Sequence, residues 1–305
     1  MKKTKLVIAS GKGGVGKSML ASALAMFFSQ NKKVVAVDCD VDAPNLAIWL
    51  NEIKKWDKIL PVITSAKPIF DYKKCVGCGL CVKNCRFAAL GMSKGKPKLN
   101  LFLCEGCGAC EVVCPQKAIK LEPVQNGQIK IKNTKYKFPL VSGQLLPGES
   151  GSGKVVVEIK KAAEKFKHDL MIIDSSPGTG CPVIAALQDA NFTVLITEPT
   201  PSGFVDLKRV LEVVNHFKIP YGVVINKWDI NPKISQQIEK NFSARDGQSK
   251  LLGKISYDKN IFKAIAKLNP ILETNLKAKK EVEKIFKKLV ASLSNYATTN
   301  KTKKN

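Results

Sequence analysis

Apolar residues recur along the chain with two alternating periods. Short runs rich in β-branched residues fall at 5–9, 33–38, 170–174, 192–197, 221–226 and 251–255, and have the near-continuous apolar character of strands covered on both faces. Amphipathic stretches of helical period lie between them, at 19–28, 155–166 and 204–217; in the last, Val205, Val210, Leu211, Val213, Val214 and Phe217 mark a buried stripe. Strand alternating with helix predicts a doubly wound α/β domain with a mostly parallel sheet, whose ligands sit beyond the carboxyl ends of the strands. The alternation stops after about residue 50 and resumes near 154. Pro61, Pro68, Pro97, Pro123 and Pro139 punctuate the interval, a hairpin-like stretch surrounds Ile129, Lys130 and Ile131, and the exit at 142–154 is rich in Gly and Ser. The expected organisation is a first part of the α/β domain at 1–60, an inserted small α+β domain at 61–145, the rest of the α/β domain at 146–295 and a disordered basic tail at 296–305.

The 305 residues suffice for two domains, and no apolar run reaches the roughly 18 residues a spanning helix needs. The lysine-rich start is followed by only a few apolar residues, too short for a leader peptide, so a cytoplasmic protein is expected. The formal charge is +25, but arginine occurs only at Arg86, Arg209 and Arg245, and the lysines are scattered. No DNA-reading motif accompanies them, so nucleic acid is not an expected partner; the charge is read as a compositional habit or as attraction to a polyanion. Near the carboxyl end Leu276, Val282, Ile285, Phe286, Leu289, Val290 and Leu293 share one helical face, which either packs on the sheet or lies on a membrane. Packing is the expected case.

Gly11-Lys12-Gly13-Gly14-Val15-Gly16-Lys17-Ser18 fits G-x-x-x-x-G-K-[ST] between a strand and a helix. Such a loop turns backbone N–H groups inward, the helix N-terminus adds its positive dipole end, Lys17 neutralises phosphate and Ser18 ligates Mg²⁺. A second glycine loop, Gly148 to Lys154, has Val155 in place of the hydroxyl and follows Pro147 rather than a strand, so it reads as a connector.

Lys12, directly after the first glycine, gives the loop a pattern that resembles the deviant Walker A motif of the MinD/ParA family of P-loop ATPases, which includes the nitrogenase iron protein and the Mrp/Nbp35 cluster carriers. The resemblance implies that Lys12 reaches the nucleotide of a partner subunit, hence a homodimer, with Gly11 to Met19 around the nucleotide. Val37-Asp38-Cys39-Asp40 through Pro44-Asn45 is similar to the family's switch I, which implies that Asp40 orients or deprotonates the attacking water and Asp38 supports Mg²⁺. Asp174 closes an apolar run like a Walker B aspartate, and Ser175 to Gly180 resembles switch II, with Pro177 and Gly178 sensing the γ-phosphate. Asn226-Lys227-Trp228-Asp229 looks like a base-recognition element. ATP is the expected base assignment, with GTP open because N-K-x-D also reads guanine.

Cys75, Cys78, Cys81, Cys85 and Cys104, Cys107, Cys110, Cys114-Pro115 match the bacterial ferredoxin run for two [4Fe–4S] clusters. In that pattern the fourth cysteine of each run ligates the other cluster, which implies Cys75, Cys78, Cys81 and Cys114 for one and Cys104, Cys107, Cys110 and Cys85 for the other. Zinc in four-cysteine sites is the structural alternative. Arg86 stands where proline is expected. Residues 70–125 carry nine Lys/Arg against four Asp/Glu, or +5, which points to an acidic redox partner or to the general lysine enrichment. Cys181, seven residues after Asp174, is either a packed thiol or a metal-bridging one across the dimer, while Cys39 is expected in the core. The implied function is an ATPase whose dimerisation gates electron transfer through two clusters to a partner. A cluster assembly carrier and a MinD/ParA-like spatial organiser are the alternatives. The terminal C-x-x-C of the Mrp-type carriers is absent, and membrane is not an expected partner.

Overall fold

All six apolar runs become strands, and the last three coincide with them residue for residue. The computed structural model describes residues 3–243 and 250–302, with side chains to 294. The chain opens with β1 (Thr4–Ala9), α1 (Lys17–Ser29), β2 (Val34–Cys39), α2 (Leu46–Trp49) and β3 (Lys58–Val62). Residues 63–126 then form β4 (Ser65–Phe70), α3 (Leu80–Lys83), β5 (Leu90–Ser93), β6 (Lys96–Leu99), α4 (Ala109–Val112) and β7 (Ile119–Val124). After them come β8 (Gly127–Asn133), β9 (Pro139–Leu145), α5 (Ser152–Glu164), β10 (Leu170–Ser175), α6 (Cys181–Leu187), β11 (Phe192–Thr197) and α7 (Pro201–His216). The chain closes with β12 (Tyr221–Asn226), α8 (Pro232–Phe242), β13 (Leu251–Ile255), α9 (Lys259–Ala266) and α10 (Lys277–Thr302).

One nine-stranded sheet has the order β13-β12-β11-β1-β10-β2-β9-β8-β3. Its first seven strands are parallel, and β8 runs antiparallel to both neighbours. Successive residues of each strand feed opposite layers, because side chains alternate across a strand. Leu6 and Ile8 pack with Leu20, Leu24 and Phe28 of α1 and with Val282, Ile285, Phe286 and Leu289 of α10. Val7 and Ala9 pack with Val155 and Ile159 of α5, Val183 of α6, Val210 of α7 and Ile238 of α8. Most of the apolar face of α10 is therefore spent on the core, with the Phe286 ring 4.9 Å from Phe27, while Val290 stays exposed. That helix continues to Thr302 and takes in most of the stretch read as a tail; 303–305 lie outside the described residues.

The interruption is shorter than the sequence suggests. β8 and β9, which the sequence reading gives to the insert, belong to the large sheet, where Leu140 and Val141 are fully buried. Lys130 and Lys132 alternate with apolar residues in β8 and hide its membership, as expected where one face meets solvent. What protrudes is 63–126, made of two two-stranded sheets, β4-β7 and β5-β6, with α3 and α4. Its apolar core is only Cys81, Leu90 and Ile119, flanked by Phe70, Val82, Leu99 and further cysteines. Asn126 fastens this segment to the main body. Its Oδ1 accepts from the Thr64 N–H at 2.9 Å, its Nδ2 donates to the Ser150 carbonyl at 2.8 Å, and its own N–H and carbonyl bond to Val62 and Leu146.

Candidate functional site

A cleft of about 560 Å³, open to solvent, lies at the carboxyl ends of the parallel strands. Gly13, Gly14, Gly16, Lys17, Ser18 and Met19 form its floor. Gly16 is the N-cap of α1 at φ 98°, and a Cβ there would stand 2.6 Å from Asn226 Nδ2. No side chain caps α1, so its first-turn N–H groups are free for an anion. Asn226 Nδ2 donates to the Val15 carbonyl at 2.8 Å and so holds the loop from the end of β12. Gly11 is outside the cleft lining; its hydrogen lets the backbone of Asp206 on α7 approach, since a Cβ would lie 2.0 Å from that carbonyl oxygen.

The acidic residues divide by position. Asp40 lines the cleft, and burial, eased by the Lys17 ammonium, raises its carboxyl. Asp38 is fully buried behind it, accepting from the N–H groups of Asp40 at 3.1 Å and Leu46 at 2.9 Å. Burial, then the neighbouring Asp174 charge, raises Asp38 well above the ordinary carboxyl range. Asp174, opposite Asp38 in the β2-β10 ladder, is pushed up to about 6 by burial, against the pull of the Lys17 ammonium. Neither Asp174 oxygen has a hydrogen-bond partner among the described residues, and Asn45 Oδ1 on the cleft wall is likewise buried without one. Orphaned acceptors beside the Ser18 hydroxyl are a donor set that suits a hard cation such as Mg²⁺.

Pro177 lines the cleft, and the N–H of Gly178 donates to the Ser10 carbonyl at 2.9 Å. Two residues singled out in the sequence stand elsewhere. Asp229 does not line the cleft; its Oδ1 accepts from the Tyr257 N–H at 2.7 Å and tethers the loop before α9. Lys12 also points outside it, its Nζ 2.8 Å from Glu198 Oε1, while Lys227 approaches Oε2 at 3.2 Å. These two hydrogen bonds lower the Glu198 carboxyl although burial opposes them, and Glu198 raises Lys12. Sequence reasoning missed Glu198, Trp49, Tyr257 and Phe262. No spacing marks them: Tyr257 stands in the loop after β13 and Phe262 in α9, and neither stretch carries a motif.

The eight clustered cysteines line two further small pockets in 63–126. Cys85, Cys104, Cys107 and Cys110 line one; Cys75, Cys78, Cys81 and Cys114 line the other. Each wall thus takes three thiols from one run and one from the other. The loops are close copies: a Cβ on Gly77 would lie 2.3 Å from the Gly95 carbonyl oxygen, and one on Gly106 2.3 Å from that of Ala66. All ten cysteines are free of disulfides. Among the described residues no three His, Cys, Asp or Glu converge closely enough to hold a single metal ion; the thiols stand around space instead. Burial raises the Cys110 thiol to about 11 and raises Cys81 as well, so without a bound cation they stay protonated. Cys39 is buried in the core, and Cys181 is exposed at the start of α6. Contrary to the sequence expectation, a strand does precede the second glycine loop: β9 of the large sheet ends at Leu145, and the stretch enters α5 at Ser152 from the Gly151 N-cap, with Val155 still in place of the hydroxyl.

A family model described as the CobQ/CobB/MinD/ParA nucleotide binding domain matches residues 6–271. An uncharacterised protein of Methanocaldococcus jannaschii is 39% identical over 286 residues, 93% of this chain and 96% of its own. The iron-sulfur cluster carrier protein of the same organism is 22% identical over 305 residues, 94% of this chain and 84% of its own. The cell division ATPase MinD of Pyrococcus furiosus superposes with a TM-score of 0.58 at 17% identity, covering 95% of this chain and 99% of that one. At that identity the superposition speaks to the fold.

Proposed function

Since the chain belongs to the CobQ/CobB/MinD/ParA nucleotide-binding family, we propose that it is an ATPase whose nucleotide-driven homodimerisation gates electron transfer through two [4Fe–4S] clusters in residues 63–126 to a partner protein. One observation carries this reading: eight cysteines divide four and four around two pockets, in a segment that Asn126 fastens to the loop between β9 and α5 of a nucleotide-binding domain. Thiols spread around a cavity suit a polynuclear group better than one ion. A segment with so small an apolar core, and no disulfide, also needs a staple of this kind.

ATP is bound by the N–H groups of residues 13–18, with Lys17 on its phosphates. Ser18 and Asp174 would hold Mg²⁺, with Asp38 behind them. Asp40, raised towards neutrality by burial, accepts the proton of the attacking water. Lys12, released from Glu198, reaches the phosphates bound by the second subunit. Adenine is preferred over guanine because Asp229, the guanine-reading position, is committed to the Tyr257 N–H. When bound, Mg²⁺ screens phosphate charge and each cluster carries one electron. The 63–126 segment, at +6 before cluster charge once Lys67 is included, faces an acidic redox partner.

A carrier function is favoured by one observation, the exposure of Cys78 and Cys107, and by the M. jannaschii carrier relative. The two readings separate in one assay. Anaerobically reconstituted protein is turned over with MgATP beside an apo-ferredoxin acceptor. Electron gating leaves the iron on this chain; transfer of that iron to the acceptor at a rate set by ATP overturns it.

A further inference from the structure

The two cysteine cavities are near copies, and each has a lysine gripping the carbonyl of its first cysteine. Lys96 Nζ donates to the carbonyls of Tyr72, at 3.1 Å, and Cys75. Lys67 Nζ donates to those of Leu101, at 3.2 Å, and Cys104, at 2.6 Å. In one respect the copies differ. Lys67 is 5% exposed and meets a carboxylate from outside the segment, Glu149 Oε2 at 3.4 Å, whereas no carboxylate within 4 Å is described for Lys96. Glu149 Oε2 is itself buried and has no hydrogen-bond partner among the described residues, so the ion pair with Lys67 is what compensates it.

Glu149 sits in the loop from β9 to α5, between Gly148 at φ 76° and Gly151 at φ 91°. The far end of that loop abuts the segment that follows Asp174. A Cβ on Gly153 would lie 3.1 Å from Cys181 Cβ, so the start of α5 and the start of α6 are in contact with little room between them. A route thus runs from Pro177 at the cleft along the chain to Cys181, across a contact to Gly153, back along the loop to Glu149, and through Lys67 to the Cys104 loop. The Cys75 loop has no equivalent.

We propose that Lys67 and Glu149 make the two clusters unequal: the one held by Cys85, Cys104, Cys107 and Cys110 has a reduction potential that follows the nucleotide state, while the other does not. This rests on the cluster reading above. Lys67 is a positioning residue that also places a buried positive charge beside the ligand loop, and such a charge favours the form with one more electron. Glu149 cancels part of that charge. Rearrangement of 175–181 on nucleotide binding moves α5 and draws Glu149 away, which raises the potential of this one cluster.

The test is an EPR-monitored redox titration of the full reconstituted chain with dithionite as reductant, with and without a non-hydrolysable ATP analogue and Mg²⁺. In the wild type the analogue raises one of the two potentials and leaves the other in place. Glu149→Gln raises the same potential without nucleotide and removes its response; Lys67→Met lowers it by about tenfold in the reduction equilibrium, ~59 mV for a one-electron couple. Lys96→Met moves only the second potential and keeps the response. Wild-type protein that assembles no clusters overturns both this inference and the function it rests on. Clusters whose potentials ignore the analogue, or a response undiminished in Glu149→Gln, overturn the inference and leave cluster binding standing. The wild-type titration needs no variant to fold.

Discussion

Replacing Asp174 with Asn isolates the cost of holding a cation site open. Asp174 is fully buried and its carboxyl is raised from 3.8 to about 6. A raised native pKa means that the stability tied to this group is fully present below the unfolded value near 4 and is lost as pH rises through about 6. A shift of about two units, at 1.36 kcal/mol each, makes the penalty at pH 8 ~3 kcal/mol. Asn has the shape without the charge, and any cost of burying its amide is the same at every pH. The stability difference between variant and wild type should therefore move in the variant's favour by ~3 kcal/mol between pH 4 and pH 8. Removing the Asp174 charge also relieves Asp38, whose raised pKa it supports, so the shift is no smaller than this. Urea denaturation of the nucleotide-free, Mg²⁺-free chain, followed anaerobically by tryptophan fluorescence across that range, measures it. Saturating MgADP should then stabilise the wild type more than the variant, which keeps the phosphate loop but not the cation-holding carboxylate. A difference that does not vary with pH would refute the reasoning, because the carboxylate would then be compensated by groups other than a cation.

Lys12→Ala should retain nucleotide binding by the monomer, since Lys12 lies outside the cleft, yet lose ATP-dependent dimerisation by light scattering; Glu198→Gln should dimerise at lower nucleotide concentration. Asp40→Ala should slow steady-state hydrolysis by about 10²- to 10⁴-fold, the usual contribution of a general base, while the ATP-bound dimer persists on a sizing column. The crossed cysteine assignment predicts that Cys85→Ser/Cys104→Ser keeps about half of the iron, whereas Cys75→Ser/Cys85→Ser loses nearly all of it, by iron quantitation after reconstitution.

Sequence patterning made most of the parallel strands legible because the inner ones are covered on both faces: Phe192–Thr197 and Tyr221–Asn226 read as largely apolar runs bounded by turns. Lys17 and Ser18 were legible because a phosphate loop is local, and the cysteines because ligand spacing is local too. β8 was not, since its alternating lysines resemble a free hairpin until β9 pairs with β2. Long-range charge pairing escapes any spacing rule. Glu198 is 186 residues from Lys12, and Glu149 meets Lys67 across the joint between segment and sheet. Asp229 shows the converse, a motif position whose carboxylate is diverted to a backbone N–H.

The central claim is that nucleotide binding changes the redox behaviour of clusters held in 63–126. Its most direct measurement is the pair of reduction potentials of the reconstituted wild-type chain, titrated anaerobically with and without MgATP analogue. The account predicts about eight irons per chain and a potential that moves when the nucleotide binds. Two potentials that are indifferent to nucleotide, on a chain that binds it and dimerises, would contradict it.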